Sequence, residues 1–90
     1  KAAVAAFTRS LAEEFAPHVR VNCVAPGLIQ TTVTDRLGAA ERDELTGRGY
    51  LKRAGQPREV ADAVAFLCAD ESAFITGEVI AVSGGNHPHL

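Results

Sequence analysis

Two short apolar runs, with no tight turn to join them, constrain this fold most. The first is Val-Arg-Val-Asn-Cys-Val-Ala at residues 19–25 and the second is Glu-Val-Ile-Ala-Val at residues 78–82. Both have the β-branched richness of buried parallel strands. No hairpin partner follows the first run, and helix signals occupy much of residues 26–77. Antiparallel strands can be joined by two residues, whereas parallel strands need a crossover of a dozen or more, usually helical. The order helix, strand, flap, helix, strand therefore predicts an α/β fold. Its strands are parallel and its crossover right-handed.

The helices are legible from spacing. Val4, Phe7, Leu11 and Phe15 recur at three and four residues and define one apolar face over residues 2–16. Alanines favour the helix between them, and Pro17 stops it. Thr31-Thr32-Val33-Thr34 caps and starts a short helix. Gly38 interrupts the segment, and residues 39–45 form another short helix ended near Gly47 and Gly49. Residues 32–50, charged and punctuated by glycine, read as a mobile flap. Pro57 fits the first position of the next helix, where a missing N–H costs nothing. Glu59 stands in its first turn, Gln56 is a weak cap, and Val60, Val64 and Leu67 form its apolar face to about residue 69. A helical turn at residues 70–74 and a Thr76-Gly77 turn lead to the second strand, which ends at Ser83-Gly84-Gly85.

Ligands of open α/β sheets lie beyond the carboxyl ends of strands, which singles out residues 26–31. Pro26 cannot donate to a ladder, so the first strand is expected to end before it. Gly27 allows a conformation or a close approach that a side chain would forbid. Two parallel strands do not make a stable sheet. The first run is too apolar for an edge, so further strands are expected from an absent N-terminal portion. A start inside a helix, with no methionine anywhere in the 90 residues, agrees with a piece of a longer chain.

Composition excludes several classes of partner. Nine basic and eleven acidic residues give a net charge of −2, and no basic stripe marks a nucleic-acid face. No segment has the apolar length that spans a bilayer and no signal-peptide pattern opens the chain, so no membrane association is expected. Cys23 and Cys68 lack zinc-type spacing and read as buried, reduced thiols, which suits a cytoplasmic protein. His87 and His89 flank Pro88 and are too few for a metal site; no metal is expected. His18 reads as an exposed turn residue.

Four stretches together resemble the C-terminal part of a short-chain dehydrogenase/reductase, in the order and spacing of that family, over nearly the whole chain. They are the helix opening at Lys1-Ala2-Ala3-Val4; Arg20-Val21-Asn22 through Pro26-Gly27 to Thr31; Arg53-x-Gly55-x-Pro57-x-Glu59-Val60-Ala61; and Phe74-Ile75-Thr76-Gly77 with Val82-Ser83-Gly84-Gly85. Members of the 3-oxoacyl carrier-protein reductase kind look nearest. The resemblance implies the C-terminal part of a doubly wound, Rossmann-type parallel sheet. It also implies an oxidoreductase that passes hydride between the nicotinamide of NAD or NADP and a small carbonyl or alcohol substrate.

Lys1 matches the family's lysine, one helical turn after a catalytic tyrosine. That lysine favours the phenolate by its charge and hydrogen-bonds the nicotinamide ribose. The Ile29 backbone would bind the nicotinamide amide, and the Thr31 hydroxyl the amide or pyrophosphate, while Pro26 and Gly27 shape the loop. The flap closes over substrate, with Val33, Leu37 and Tyr50 as candidate contacts. The helix at Val60 and the last strand would supply subunit contacts of a dimer or tetramer. Ser83 stands where the family often has Asp. The Gly-rich phosphate loop and the catalytic serine and tyrosine are not in this chain. The alternative is an inactive piece, or an inactive homologue, that serves oligomerisation or nucleotide binding.

Overall fold

A computed structural model describes residues 2–86, so Lys1, His87 and His89 lie outside the described residues. Helix α1 (Ala2–Phe15) leads to strand β1 (Cys23–Pro26). Two short helices follow, α2 (Thr32–Asp35) and α3 (Ala39–Gly47), then α4 (Pro57–Cys68), a 3-10 turn (Asp70–Ser72) and strand β2 (Val79–Val82). The two strands pair in parallel, Cys23 with Val79 through Pro26 with Val82. This is the strand–helix–strand arrangement expected from the missing hairpin.

The first strand is shorter than expected and shifted along the chain. Residues 19–22 lie outside it, and the segment opposite, residues 75–78, likewise lies outside β2. Side chains join the two instead. Arg20 donates from Nη1 to the Ile75 carbonyl (2.9 Å) and from Nη2 to that of Leu67 (2.8 Å). Asn22 donates to the Ile75 carbonyl (3.0 Å) and accepts from the Glu78 N–H (3.1 Å). The Gly77 N–H closes on the Val21 carbonyl at 2.8 Å.

Pro26 belongs to the strand, contrary to expectation, and the ladder explains why. The N–H groups of Cys23 and Gly27 reach the carbonyls of Glu78 and Val82, both at 2.9 Å. Alternate residues of a parallel strand bond to one neighbour. The Pro26 nitrogen thus falls on the edge facing away from β2, and no ladder bond is lost. That edge of β1 has no strand partner among the described residues.

Helix α1 buries a different face from the apolar stripe. Its buried residues are Ala5, Thr8 and Ala12, whereas Val4 and Phe7 are 54% and 63% exposed and Phe15 is also exposed. Small side chains let the helix approach the strand closely. The Thr8 hydroxyl donates to the Val4 carbonyl at 2.7 Å, which satisfies a polar group that would otherwise be costly to bury.

The described residues have a radius of gyration of 15.0 Å, against about 12 Å for a compact chain of this length. The buried hydrophobic residues are three alanines, at positions 5, 12 and 25. Most large apolar side chains therefore have a face in solvent. The thiols depart from expectation in the same way, since Cys68 is exposed and Cys23 only half-buried. The free cysteines form no disulfide.

Candidate functional site

A cleft of about 240 Å³ opens at the carboxyl ends of both strands, with Leu28 and Ile29 on one side and Val82 and Ser83 on the other. Leu51 and the Arg53–Glu59 pair complete it. A second groove, near 310 Å³, lies by Arg20, Asn22 and Val24 at the amino end of β1, away from where open α/β sheets bind ligands.

The loop after β1 is held from two sides. Gly27 packs against the end of β2, where an added Cβ would stand 2.9 Å from both Cα and Cβ of Ser83. The need for glycine here comes from that approach of the neighbouring chain, not from a left-handed backbone. Two residues on, Ile29 forms an isolated parallel bridge with Gly55. The Gly55 N–H donates to the Leu28 carbonyl (2.9 Å), and the Gln30 N–H donates to the Gly55 carbonyl (2.8 Å). In such a bridge the flanking residues make both bonds, and the central N–H and C=O point the other way. Ile29 accordingly presents one donor and one acceptor that take part in no hydrogen bond among the described residues.

Residues 53–56 form the second wall of this loop. The Arg53 guanidinium makes a two-bond fork with the Glu59 carboxylate, at 2.7 and 2.9 Å. Glu59 also accepts the Gln56 N–H at 3.0 Å, so the capping box of α4 closes from the Glu59 side. The Gln56 side-chain amide donates to Gln30 Oε1 at 3.0 Å. The Arg53 hydrogen bond, aided by that of Gln56, pushes the Glu59 pKa down to about 2. The same bond raises the pKa of Arg53.

Thr31 ends the loop as the N-cap of α2. Its N–H donates to Thr34 Oγ1 (2.8 Å), and its carbonyl accepts the Asp35 N–H (3.0 Å). Of the residues singled out in sequence, Ile29 lines the cleft, Gly27 supports it from behind, and Pro26 and Thr31 flank it. Lys1 lies outside the described residues. Neither α2 nor α3 has a buried residue. The segment returns to the sheet at Leu51, whose N–H donates to the Gly84 carbonyl at 2.9 Å. Tyr50 lies over Gly85, whose φ is +86° and where a Cβ would overlap the tyrosine ring. Val33 is exposed on α2 and is not among the residues that line the cleft.

Sequence reasoning missed the role of residues 53–56, which read only as a helix start. The signal was present in an arginine six residues before a first-turn glutamate, spanning a proline. No group of three or more potential metal-ligating side chains occurs among the described residues. No described helix is long and apolar enough to cross a membrane.

A parallel strand pair with an intervening helix, and a cleft at the carboxyl ends of the strands, define a doubly wound type of α/β protein. The chain belongs to the short-chain dehydrogenase/reductase family. A family model described as Enoyl-(Acyl carrier protein) reductase matches residues 1–87. Tropinone reductase-like 3 of Erythroxylum coca is 46% identical over all of this chain and 36% of its own length. The 3-oxoacyl-[acyl-carrier-protein] reductase FabG of Thermotoga maritima is 44% identical over 94% of this chain and 35% of its own. A short-chain dehydrogenase/reductase of Brucella melitensis, described as a glucose/ribitol dehydrogenase, superposes with a TM-score of 0.90 at 44% identity. It covers 99% of this chain and 36% of that one. The chain thus spans about a third of the length of the curated relatives it matches.

Proposed function

We propose that this chain forms the nicotinamide end of the cofactor site in an NAD(P)-dependent oxidoreductase acting on a small carbonyl or alcohol substrate. The observation that carries the reading is the Ile29 pair, one N–H and one C=O on the loop edge facing away from Gly55. A primary carboxamide offers the complementary acceptor and donor, so it can add to this edge as a peptide group would. The bound nicotinamide supplies or accepts the hydride. The chain's own residues orient it. Ile29 would fix the amide, and with it the ring face turned toward substrate, which is catalysis by positioning. The Thr31 hydroxyl would hold the amide or the pyrophosphate near it. Pro26 and Gly27 set the path of the loop. Lys1 would hold the ribose hydroxyls and, by its charge, favour a neighbouring phenolate.

The test uses the complete subunit with NADH, NADPH and their 3-acetylpyridine analogues, which keep the carbonyl but lack the amide N–H. Loss of one hydrogen bond to the Ile29 carbonyl is expected to weaken binding by roughly two- to tenfold. Equal affinity for amide and ketone forms refutes the reading.

A second reading, a piece that binds nucleotide or packs against copies of itself without turnover, is favoured by the exposure of Phe66 on α4 and of Phe74 just after the 3-10 turn. Cofactor binding by the complete subunit without oxidation by any of a panel of carbonyls would favour it. In either reading the protein is a homo-oligomer with contacts from α4 and β2, and a monomer by sedimentation velocity overturns that part.

A further inference from the structure

We infer that Arg53, Gln56 and Glu59 form a positioning clamp that sets the cofactor loop from the wall of the cleft; this rests on the proposed cofactor site. One carboxylate ties both ends of residues 53–56. Its two oxygens take the Arg53 fork, and one of them also takes the Gln56 N–H. The middle of that segment, Gly55, brackets Ile29 with two backbone bonds of 2.9 and 2.8 Å. A third link, Gln56 to Gln30, fixes the next residue of the loop at 3.0 Å. The direction of the free Ile29 donor and acceptor therefore follows from the position of Gly55, and Glu59 holds that position. The pair is solvent-facing, with side chains 51% and 39% exposed, and exposed ion pairs add little to stability. Its contribution is geometric, and the loop it shapes binds ligand through backbone atoms that no side-chain substitution can replace.

In the complete subunit, Glu59→Gln is compared with Thr31→Ala, which touches the proposed site directly, and with Arg20→Met, which loosens the same sheet at its other end. Dissociation constants for NADH and NADPH, melting temperature and exchange of the Gln30 amide are measured for each. Glu59→Gln is expected to weaken cofactor binding by about tenfold, to speed Gln30 exchange and to leave the melting temperature nearer wild type than Arg20→Met does. Arg53→Lys keeps the charge but loses the fork; it should fall between, and it serves if Glu59→Gln does not fold. Wild-type affinity in Glu59→Gln, with weakened binding in Thr31→Ala, overturns the clamp and leaves the cofactor site standing. Wild-type affinity in both overturns both. Equal loss of affinity in Arg20→Met and Glu59→Gln also overturns the clamp, because general loosening then accounts for it.

Discussion

Replacing Gly27 with alanine isolates the close approach between the loop and the end of β2. The new Cβ would stand 2.9 Å from Ser83 Cα and Cβ, and one of those atoms is backbone and cannot rotate away. Overpacking of this kind costs about 1–3 kcal/mol. Separating the strand ends also strains the 2.9 Å bond from the Gly27 N–H to the Val82 carbonyl, worth about 0.5–1.5 kcal/mol. The lower entropy of the unfolded alanine chain returns roughly 0.4–1 kcal/mol. The net expectation is a loss of about 2 kcal/mol, a fall of roughly 4–8 °C in melting temperature for a domain of 150–250 residues. Ser83→Gly in the same background removes one of the two clashing atoms and should restore part of the loss. Thermal unfolding of the complete subunit followed by circular dichroism is the assay. A Gly27→Ala variant that melts with wild type shows that the strand ends are not in contact as described.

Arg20→Met should lower stability by about 1.5–3 kcal/mol, because the guanidinium donates to the carbonyls of Ile75, Leu67 and Ala69 and ties the end of α4 to the turn before β2; denaturant or thermal melts measure it. Glu59 has an ordinary pKa of 4.5 and a folded value of about 2. Its stabilising contribution is therefore complete above 4.5 and is lost as pH falls from there through about 2. A carboxyl chemical-shift titration with a midpoint near 4.5 would contradict the fork geometry. Gly85→Ala meets both a φ of +86° and the Tyr50 ring, so it should cost at least 1 kcal/mol, read as a drop in melting temperature.

Local signals carried much of the fold. Pro17 stops a helix by removing a donor, Pro57 starts one where a missing N–H costs nothing, and a long helical connection in place of a hairpin turn favoured parallel pairing. The loop at residues 26–31 was legible because strand ends are where α/β sheets leave backbone groups open. The partners of that loop were not legible. The bridge from Ile29 to Gly55 joins residues far apart in sequence through backbone atoms, and backbone pairing leaves no mark on residue type. The Arg53–Glu59 fork is local but reads as ordinary surface charge until the loop it braces is in place.

Helix α1 shows the division most clearly. Its sequence indicated a helix over residues 2–16, one residue longer than observed, with Val4, Phe7, Leu11 and Phe15 on one face. Periodicity records that faces exist, not which neighbour each one meets. Tertiary structure decided that Ala5, Thr8 and Ala12 are the residues of α1 that become buried, and small side chains of this kind let a helix approach its neighbours closely. It also decided that β1 includes Pro26, since only the direction of the ladder shows that the missing N–H faces away from β2.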